Sequence, residues 1–550
     1  MRPAGYWREL GSQRLSRRRM LKAGAAAGLG AAGLSLAACG GEQGEEPETT
    51  ATPAVYLTPQ PGGRTQLGIS VDPGSLDPNL SVVSGFLSCR IHNPLHVINM
   101  DTQELVPLVA EALEQPDQTT FIWRLRRGVK FQNVEPTYGR EVNAEDVAYS
   151  FDRLKAGPTL NDRKLLTRYS EGYEATDNYT FRLRTNRVYS PTLDQTGNFS
   201  YCVVPREAAD KWGDLSTRAA GCGAWILDDY VRGERVRLRK NPDYYKAGRP
   251  FPDEEEWLII PDTGSLWQTF RTGRLDYSNV NVDKFKRDEV KNDSSIVVVE
   301  APSLYTINCY IRVDRPPFSD DRVREALDIA IDRDDYIAKL YFGEGKYNRP
   351  IPWPLEYWAL PQDELRSTLA YDPEKAKQLL SAAGYGDGLD LQAPVPNIGD
   401  CPQVATIIAD HYKKVGVNLK IELKDLGVFL SQYLYASEFD ITYFLNLPYM
   451  EPDMPLRTYY SQGQNADRNP GLSNDPEVDA LIEGLWEIFD REERRKAVLD
   501  VQRVLLKKHG PLYPLCSPEG YAGYSSRIKG IQEGTGVFGW LGISYWVEQA

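Results

Sequence analysis

Along the chain, short apolar runs of β type alternate with segments of helical period whose ends are clearly marked. Asn143 precedes Ala144-Glu145-Asp146-Val147-Ala148-Tyr149, which places a capping amide and then two acids at a helix start. Asp372-Pro373-Glu374 opens another helix, with Leu379 and Leu380 on its apolar side and Gly384 closing it. Asp475-Pro476-Glu477 opens a third, and two helical periods then carry the chain to Lys507-Lys508-His509-Gly510. Strands are predicted at 180–184, 235–239, 296–300 and 418–423. Mixed order without a fixed repeat predicts a multi-lobed α/β body rather than a solenoid or barrel.

The N-terminal apolar run differs from these. Arg17, Arg18 and Arg19 precede Met20-Leu21-Lys22, a mild Ala/Gly/Leu stretch follows over 23–38, and Leu36-Ala37-Ala38-Cys39 ends it. Sixteen residues diluted by Gly24, Gly28, Gly30 and Gly33 are too short for a membrane span. Paired arginines before such a segment are the signature of a twin-arginine export signal, and Leu-Ala-Ala-Cys resembles the lipobox at which Cys39 is acylated. Residues 1–38 are therefore read as a lipoprotein signal, and the mature protein as anchored through lipid on Cys39 to the outer face of the cell membrane, in a periplasm or at the cell surface. Residues 39–64, dense in Glu, Thr, Pro and Gly, read as a flexible tether.

Charge then excludes some partners. Residues 1–38 carry seven Lys/Arg and one Glu, so their removal takes the formal charge from −13 to −19. An acidic body of that kind speaks against nucleic acid, whose phosphates demand basic patches. Some 510 residues remain, more than one core accommodates, so two or three lobes are expected. With 32 Tyr and 11 Trp, the chain has amphipathic rings to line a pocket for a small polar ligand.

Motifs for catalysis are mostly absent. Gly534-Thr535-Gly536-Val537-Phe538-Gly539 matches a dinucleotide pattern by letter, but only eleven residues follow it, so it reads as a turn. His92 and His96 have i,i+4 spacing, yet Pro94 opposes the helix that would aim both at one metal. Asp228-Asp229 and Asp334-Asp335 are sequence neighbours whose side chains diverge. No metal site and no cofactor is predicted. With Cys39 acylated, Cys89, Cys202, Cys222, Cys309, Cys401 and Cys516 remain, and fifteen pairings are open for three disulfides in an exported chain.

Over 75–531 the chain resembles the extracytoplasmic solute-binding proteins of the peptide/nickel/oligopeptide class (family 5), the recognition subunits of ABC importers. Ser75-Leu76-Asp77-Pro78, Leu105-Val106-Pro107-Leu108-Val109-Ala110-Glu111, Phe121-Ile122-Trp123-Arg124-Leu125-Arg126-Arg127-Gly128-Val129-Lys130-Phe131 and Asn143-Ala144-Glu145-Asp146-Val147-Ala148-Tyr149-Ser150 match its opening elements in order. Gly221-Cys222-Gly223-Ala224-Trp225, Asn241-Pro242-Asp243-Tyr244-Tyr245, the run from Arg315 through Leu327, and Tyr371-Asp372-Pro373-Glu374-Lys375-Ala376 follow.

The resemblance implies a type II periplasmic-binding-protein-like α/β fold with two main lobes and an inserted third around a ligand cleft. Lobe I would comprise 65–99, 221–306 and 520–550, lobe II the insert 100–220, and lobe III 307–519, with hinges near Cys309 and Cys516. It implies a monomer that captures a small polar solute, a peptide, oligosaccharide or similar, and delivers it to permease subunits by cleft closure. Family position places Phe86, Trp267, Trp353, Tyr357, Trp358, Asn446, Tyr449 and Glu451 at the ligand. It also brings the strand ending near Val204 back toward Gly221-Cys222-Gly223, so a Cys202–Cys222 disulfide is expected. The stretch Phe444-Leu445-Asn446-Leu447-Pro448-Tyr449-Met450-Glu451-Pro452 departs from the peptide binders: Leu445 replaces a tryptophan, and Pro448 replaces the aspartate that meets a peptide amine. A proline cannot neutralise an ammonium, so neutral polar solutes gain ground unless Glu451 or Asp453 substitutes. The rival readings are an exported hydrolase using two carboxylates and a structural surface lipoprotein.

Overall fold

The computed structural model describes residues 58–79, 85–99, 104–157, 168–301, 306–352, 355–446, 451–461, 469–510, 512–531 and 542–548. The arginines at 17–19, the apolar run, Cys39, most of the tether, and Gly534 through Gly539 lie outside these residues.

A seven-stranded mixed sheet is assembled from three separate stretches of chain. Its order is Ile296–Glu300, Tyr521–Ser525, Tyr277–Ser278, Arg64–Ile69, Glu254–Ile259, Arg235–Lys240 and Trp225–Val231. Arg64–Ile69 pairs in parallel with Glu254–Ile259, Leu67 opposite Trp257, while the hairpin partners are antiparallel. Leu67, Ile69, Trp225, Val236, Leu238 and Trp257 are buried together, as a central strand covered on both faces requires. Helix Thr263–Arg271, capped by the Asp262 carboxylate accepting from Ser265 N at 2.7 Å, covers one face through Leu266, Trp267 and Phe270. Its approach depends on Gly68, where an added Cβ would lie 2.5 Å from Leu266 Cδ1.

A second body is a four-stranded antiparallel sheet in the order Ala110–Asp117, Thr120–Leu125, Thr180–Thr185, Ser170–Asp177. Helix Ala144–Ala156 lays Val147, Phe151 and Leu154 onto Phe121, Trp123, Phe181 and Leu183. Its start carries a full capping box: Asn143 Oδ1 accepts from Glu145 N and Asp146 N, and Asp146 accepts from Asn143 N.

The third body, mostly C-terminal, contains a βαβ unit. Parallel strands Leu389–Pro396 and Val417–Lys424 are joined through helix Cys401–Lys413. Beside it, Thr306–Ile311 is the central strand between Ile441–Asn446 and Leu512–Pro514, both antiparallel to it. Helices Asp321–Ile329, Arg333–Tyr341 and Pro373–Ala382 complete one core, and Pro476–Trp486 with Arg491–Lys508 cover a second.

The chain passes between the seven-stranded body and this third body twice, side by side. One passage leads from Ile296–Glu300 to Thr306–Ile311, the other from Cys516–Pro518 to Tyr521–Ser525. Glu300 pairs with Tyr521, and Ala301 N donates to Gly520 O at 2.8 Å, so both leave the same sheet edge. No helix among the described residues is long and apolar enough to cross a membrane.

The six described cysteines are buried free thiols. Cys202 faces Cys89, Sγ to Sγ 4.0 Å, while the Cys222 sulfur lies 4.0 Å from the Asn93 carbonyl. Cys202 therefore faces Cys89 and not Cys222, its expected disulfide partner. The reason is packing: Phe199 seats its ring on Gly85, where an added Cβ would come within 2.6 Å of it, and this draws the next residues onto helix Gly85–Ile91.

Candidate functional site

The segment expected to meet ligand emerges beside the paired passages between the two bodies. Asn446 ends strand Ile441–Asn446 opposite Thr306, the first residue after one passage. Crevices at strand ends are where α/β proteins place ligands. Asn446 is fixed by this pairing and Phe86 by helix Gly85–Ile91, although their side chains lie outside the described residues, as do Trp353 and Tyr449 altogether.

Three of the expected residues have their rings engaged within the protein. Trp267 is 4% exposed in the core of the seven-stranded body, with Nε1 donating to Glu289 at 2.9 Å. Its amphipathic ring satisfies both ends inside the protein, so it is a packing element there. Trp358 is fully buried, edge-on to Tyr357 at 4.9 Å, with the guanidiniums of Arg491 and Arg494 5.6 and 5.7 Å from its ring centre. Tyr357 is half-buried, donates to Glu492 at 2.7 Å, and carries the Arg495 guanidinium 5.2 Å from its ring centre. Burial, with Glu492 beside it, pushes the Tyr357 hydroxyl up to about 12.

Glu451 is the most informative of the set. It is 3% exposed and turned inward, accepting from Asp453 N at 2.8 Å and Met454 N at 3.1 Å at the start of the short helix Asp453–Leu456. Arg494 Nη2 lies 3.6 Å away. Burial, reinforced by the nearby Asp453 and Asp194 carboxylates, raises its pKa well above the usual carboxylate range. Asp453 is equally engaged: it accepts from Arg457 Nε at 2.7 Å, Trp486 Nε1 at 2.5 Å and Tyr189 OH at 3.4 Å. Neither acid is therefore turned outward to replace the carboxylate lost at Pro448.

Sequence spacing shows nothing of the network these groups belong to. Tyr189, Asp194 and Gln195 come from the four-stranded side; Asp453, Arg457, Trp486 and Arg494 come from the third body. Arg457 Nη2 and Gln195 Nε2 both donate to the Tyr189 hydroxyl, at 2.6 and 2.8 Å. No local spacing connects residues so far apart in sequence. The histidine pair is likewise structural: His96 Nε2 meets Leu193 O at 2.8 Å and Trp123 Nε1 donates to His96 Nδ1 at 3.3 Å, while His92 is buried beyond the end of helix Gly85–Ile91. Among the described residues, no group of three His, Cys, Asp or Glu could hold a metal.

Residues 104–467 match the model for bacterial extracellular solute-binding proteins, family 5. The heme-binding protein A of Haemophilus influenzae is 27% identical over 94% of this chain and 98% of its own length. The dipeptide-binding protein of Escherichia coli is 30% identical over 63% of this chain and 68% of its own length. The periplasmic binding protein DppA of Helicobacter pylori, solved in complex with the peptide STSA, superposes with a TM-score of 0.76 at 24% identity, covering 89% of this chain and 99% of that one. The fold is the type II periplasmic-binding-protein fold anticipated above. Family members are extracytoplasmic binding proteins, not enzymes, and serve ABC importers. A matched segment of this length, carried on a fold with paired passages between two bodies, places the chain in the family 5 bacterial extracellular solute-binding proteins.

Proposed function

We propose that this chain is the lipid-anchored substrate-binding subunit of an ABC importer, capturing a small polar solute in a hinged cleft and presenting it to the permease as a monomer. Lobe I would comprise 65–99, 221–306 and 520–550, lobe II 100–220 and lobe III 307–519. The observation that carries the reading is that the chain leaves for the third body at Glu300–Ala301 and returns from it at Gly520–Tyr521, side by side, a geometry suited to two bodies closing with little change elsewhere. Closure requires only that ligand bind the closed state better than the open one.

The inward-turned Glu451 and Asp453 favour a neutral polar solute over one whose amine demands a carboxylate at this loop. The test is mass spectrometry of whatever co-purifies with the mature domain, followed by thermal unfolding with that compound added. A binder is stabilised by mass action and returns its ligand unchanged. Consumption of the compound would establish the hydrolase reading instead. Failure of any co-purified or panel solute to raise Tm would favour the structural lipoprotein.

A further inference from the structure

Helix Gly85–Ile91 in the seven-stranded body and the turn Phe199–Tyr201, which closes the segment leading from the four-stranded sheet, meet through two sulfur atoms. Cys89 Sγ lies 4.0 Å from Cys202 Sγ, with 113 positions of sequence between them. Both residues are held firmly. Cys89 belongs to the helix whose next residue, Arg90, donates through Nε to the buried Glu255 at 2.8 Å. Cys202 ends its turn with its N–H on the Phe199 carbonyl at 3.1 Å, and Asn79 Nδ2 holds the carbonyls of Ser200 and Cys202 at 2.9 and 3.3 Å. The two thiols are 2% and 0% exposed. Members of this family work outside the cytoplasm, where thiols in contact are oxidised rather than kept reduced.

We propose that Cys89 and Cys202 form the structural disulfide of the mature protein, stapling helix Gly85–Ile91 to the turn after Tyr201. The reaction is thiol–disulfide exchange with an extracytoplasmic dithiol oxidoreductase or a low-molecular-weight disulfide. The thiolate of one cysteine attacks the carrier's disulfide and displaces one carrier thiol; the thiolate of the other attacks the mixed disulfide and releases the second. The protein loses two protons and two electrons, and the carrier disulfide becomes two thiols. With the two thiols 2% and 0% exposed, a carrier reaches them only when helix Gly85–Ile91 and the turn after Tyr201 part by local opening. Burial, with Cys89 adjacent, also drives the Cys202 thiol far above its ordinary range, which withholds the thiolate. The staple joins segments on one side of the paired passages, so it braces that side and leaves closure free.

Cys222 is the internal competitor, buried nearby with its sulfur toward Asn93 O. Trypsin separates the three: Cys89 falls in the peptide 65–90, Cys202 in 188–206 and Cys222 in 219–232. Mature protein exported to an oxidising compartment, then denatured in alkylating reagent without reductant, is expected to yield 65–90 joined to 188–206, with 219–232 alkylated. Linkage of 188–206 to 219–232, or alkylation of both Cys89 and Cys202, overturns the proposal. A second measurement does not require mapping. Refolding under reducing conditions should lower Tm by at least about 5 °C, and Cys89→Ala and Cys202→Ala should each remove that difference between reduced and oxidised protein. A reductant-dependent shift persisting unchanged in both variants overturns it equally.

Discussion

Arg494 Nη1 donates to Asp194 Oδ2 at 2.9 Å, joining residues 300 positions apart and tying the segment after the four-stranded sheet to the longest helix of the third body. Both side chains are about nineteen-twentieths buried, and Glu451 and Arg491 lie 3.6 Å from one partner each. In this dry interface Arg494 and Asp194 compensate one another, and removing either leaves the other buried with less to offset its desolvation. Arg494→Ala should therefore destabilise by about 3–5 kcal/mol, as read by denaturant unfolding. Combined with Asp194→Ala, the loss should be smaller than the sum of the single losses. Additive losses would mean that the two groups do not interact.

A second buried hub predicts the behaviour in acid. Asp328 Oδ1 meets Arg333 and Arg349, each at 2.5 Å, and His509 Nδ1 lies 2.9 Å from Oδ2. Burial alone would raise this carboxyl, but Arg349, Arg333 and His509 outweigh it and hold the pKa far below the usual carboxylate range. A depressed folded-state pKa means that the unfolded chain binds the proton first. The stability from this site is present above the unfolded value of 3.8 and is lost progressively as pH falls below it. Asp328→Asn should lower stability at neutral pH by about 3–5 kcal/mol and flatten the fall below pH 4. An unchanged acid slope would contradict it.

His96 sets the sign in a higher window. Trp123 Nε1 donates to its Nδ1, so Nε2 carries the proton toward Leu193 O and the ring is neutral. Burial lowers its pKa to about 4, and that of His92 likewise. Between pH 6.5 and about 4 the unfolded chain takes up protons that the folded one refuses, so stability falls as pH drops through that range. The Tm of His96→Gln should depend less on pH there than that of the parent protein.

Local chemistry was readable where partners are close in sequence. Asn143, Asp372 and Asp475 each mark a helix start in the sequence, and each side chain accepts from at least one backbone N–H in the first turn. Gly384, at φ +94°, follows helix Pro373–Ala382 as a residue free to turn left-handed would. The strand predicted at 296–300 is observed over Ile296–Glu300, and that at 418–423 extends one residue each way to Val417–Lys424. What could not be read is whatever depends on which distant segments meet. Cys202 finds Cys89 because Phe199 rests on Gly85, and Glu451 turns inward because Arg494 and two backbone N–H groups receive it. Trp267 and a pocket tryptophan look the same in sequence, since an amphipathic ring suits a core as well as a cleft.

The proposed export and anchoring rest on residues outside those the structure describes. Cys39→Ala should give protein that is exported yet no longer partitions with membranes, because the lipid attachment is lost; unchanged membrane association would refute the anchor. Replacing Arg18 and Arg19 with Lys should block export by the twin-arginine route. Efficient export of that variant would assign the general secretory route instead.

The ligand loop and the core separate in one pair of variants. Asn446 ends a strand opposite Thr306 beside a passage between bodies, so its amide is proposed to meet the solute, whereas Trp267 is closed in by Leu266, Phe270, Val282 and Glu289. Asn446→Ala should weaken binding of the co-purifying solute at least tenfold, about 1.4 kcal/mol, with the Tm of the empty protein nearly unchanged. Trp267→Ala should do the reverse, losing about 3–5 kcal/mol of stability through the cavity it leaves while the surviving folded protein keeps its affinity. Both quantities come from calorimetry on the same samples, titration for affinity and scanning for Tm. Loss of affinity in Trp267→Ala at a temperature where it remains folded would return that ring to the site, and full affinity in Asn446→Ala would remove the loop from it.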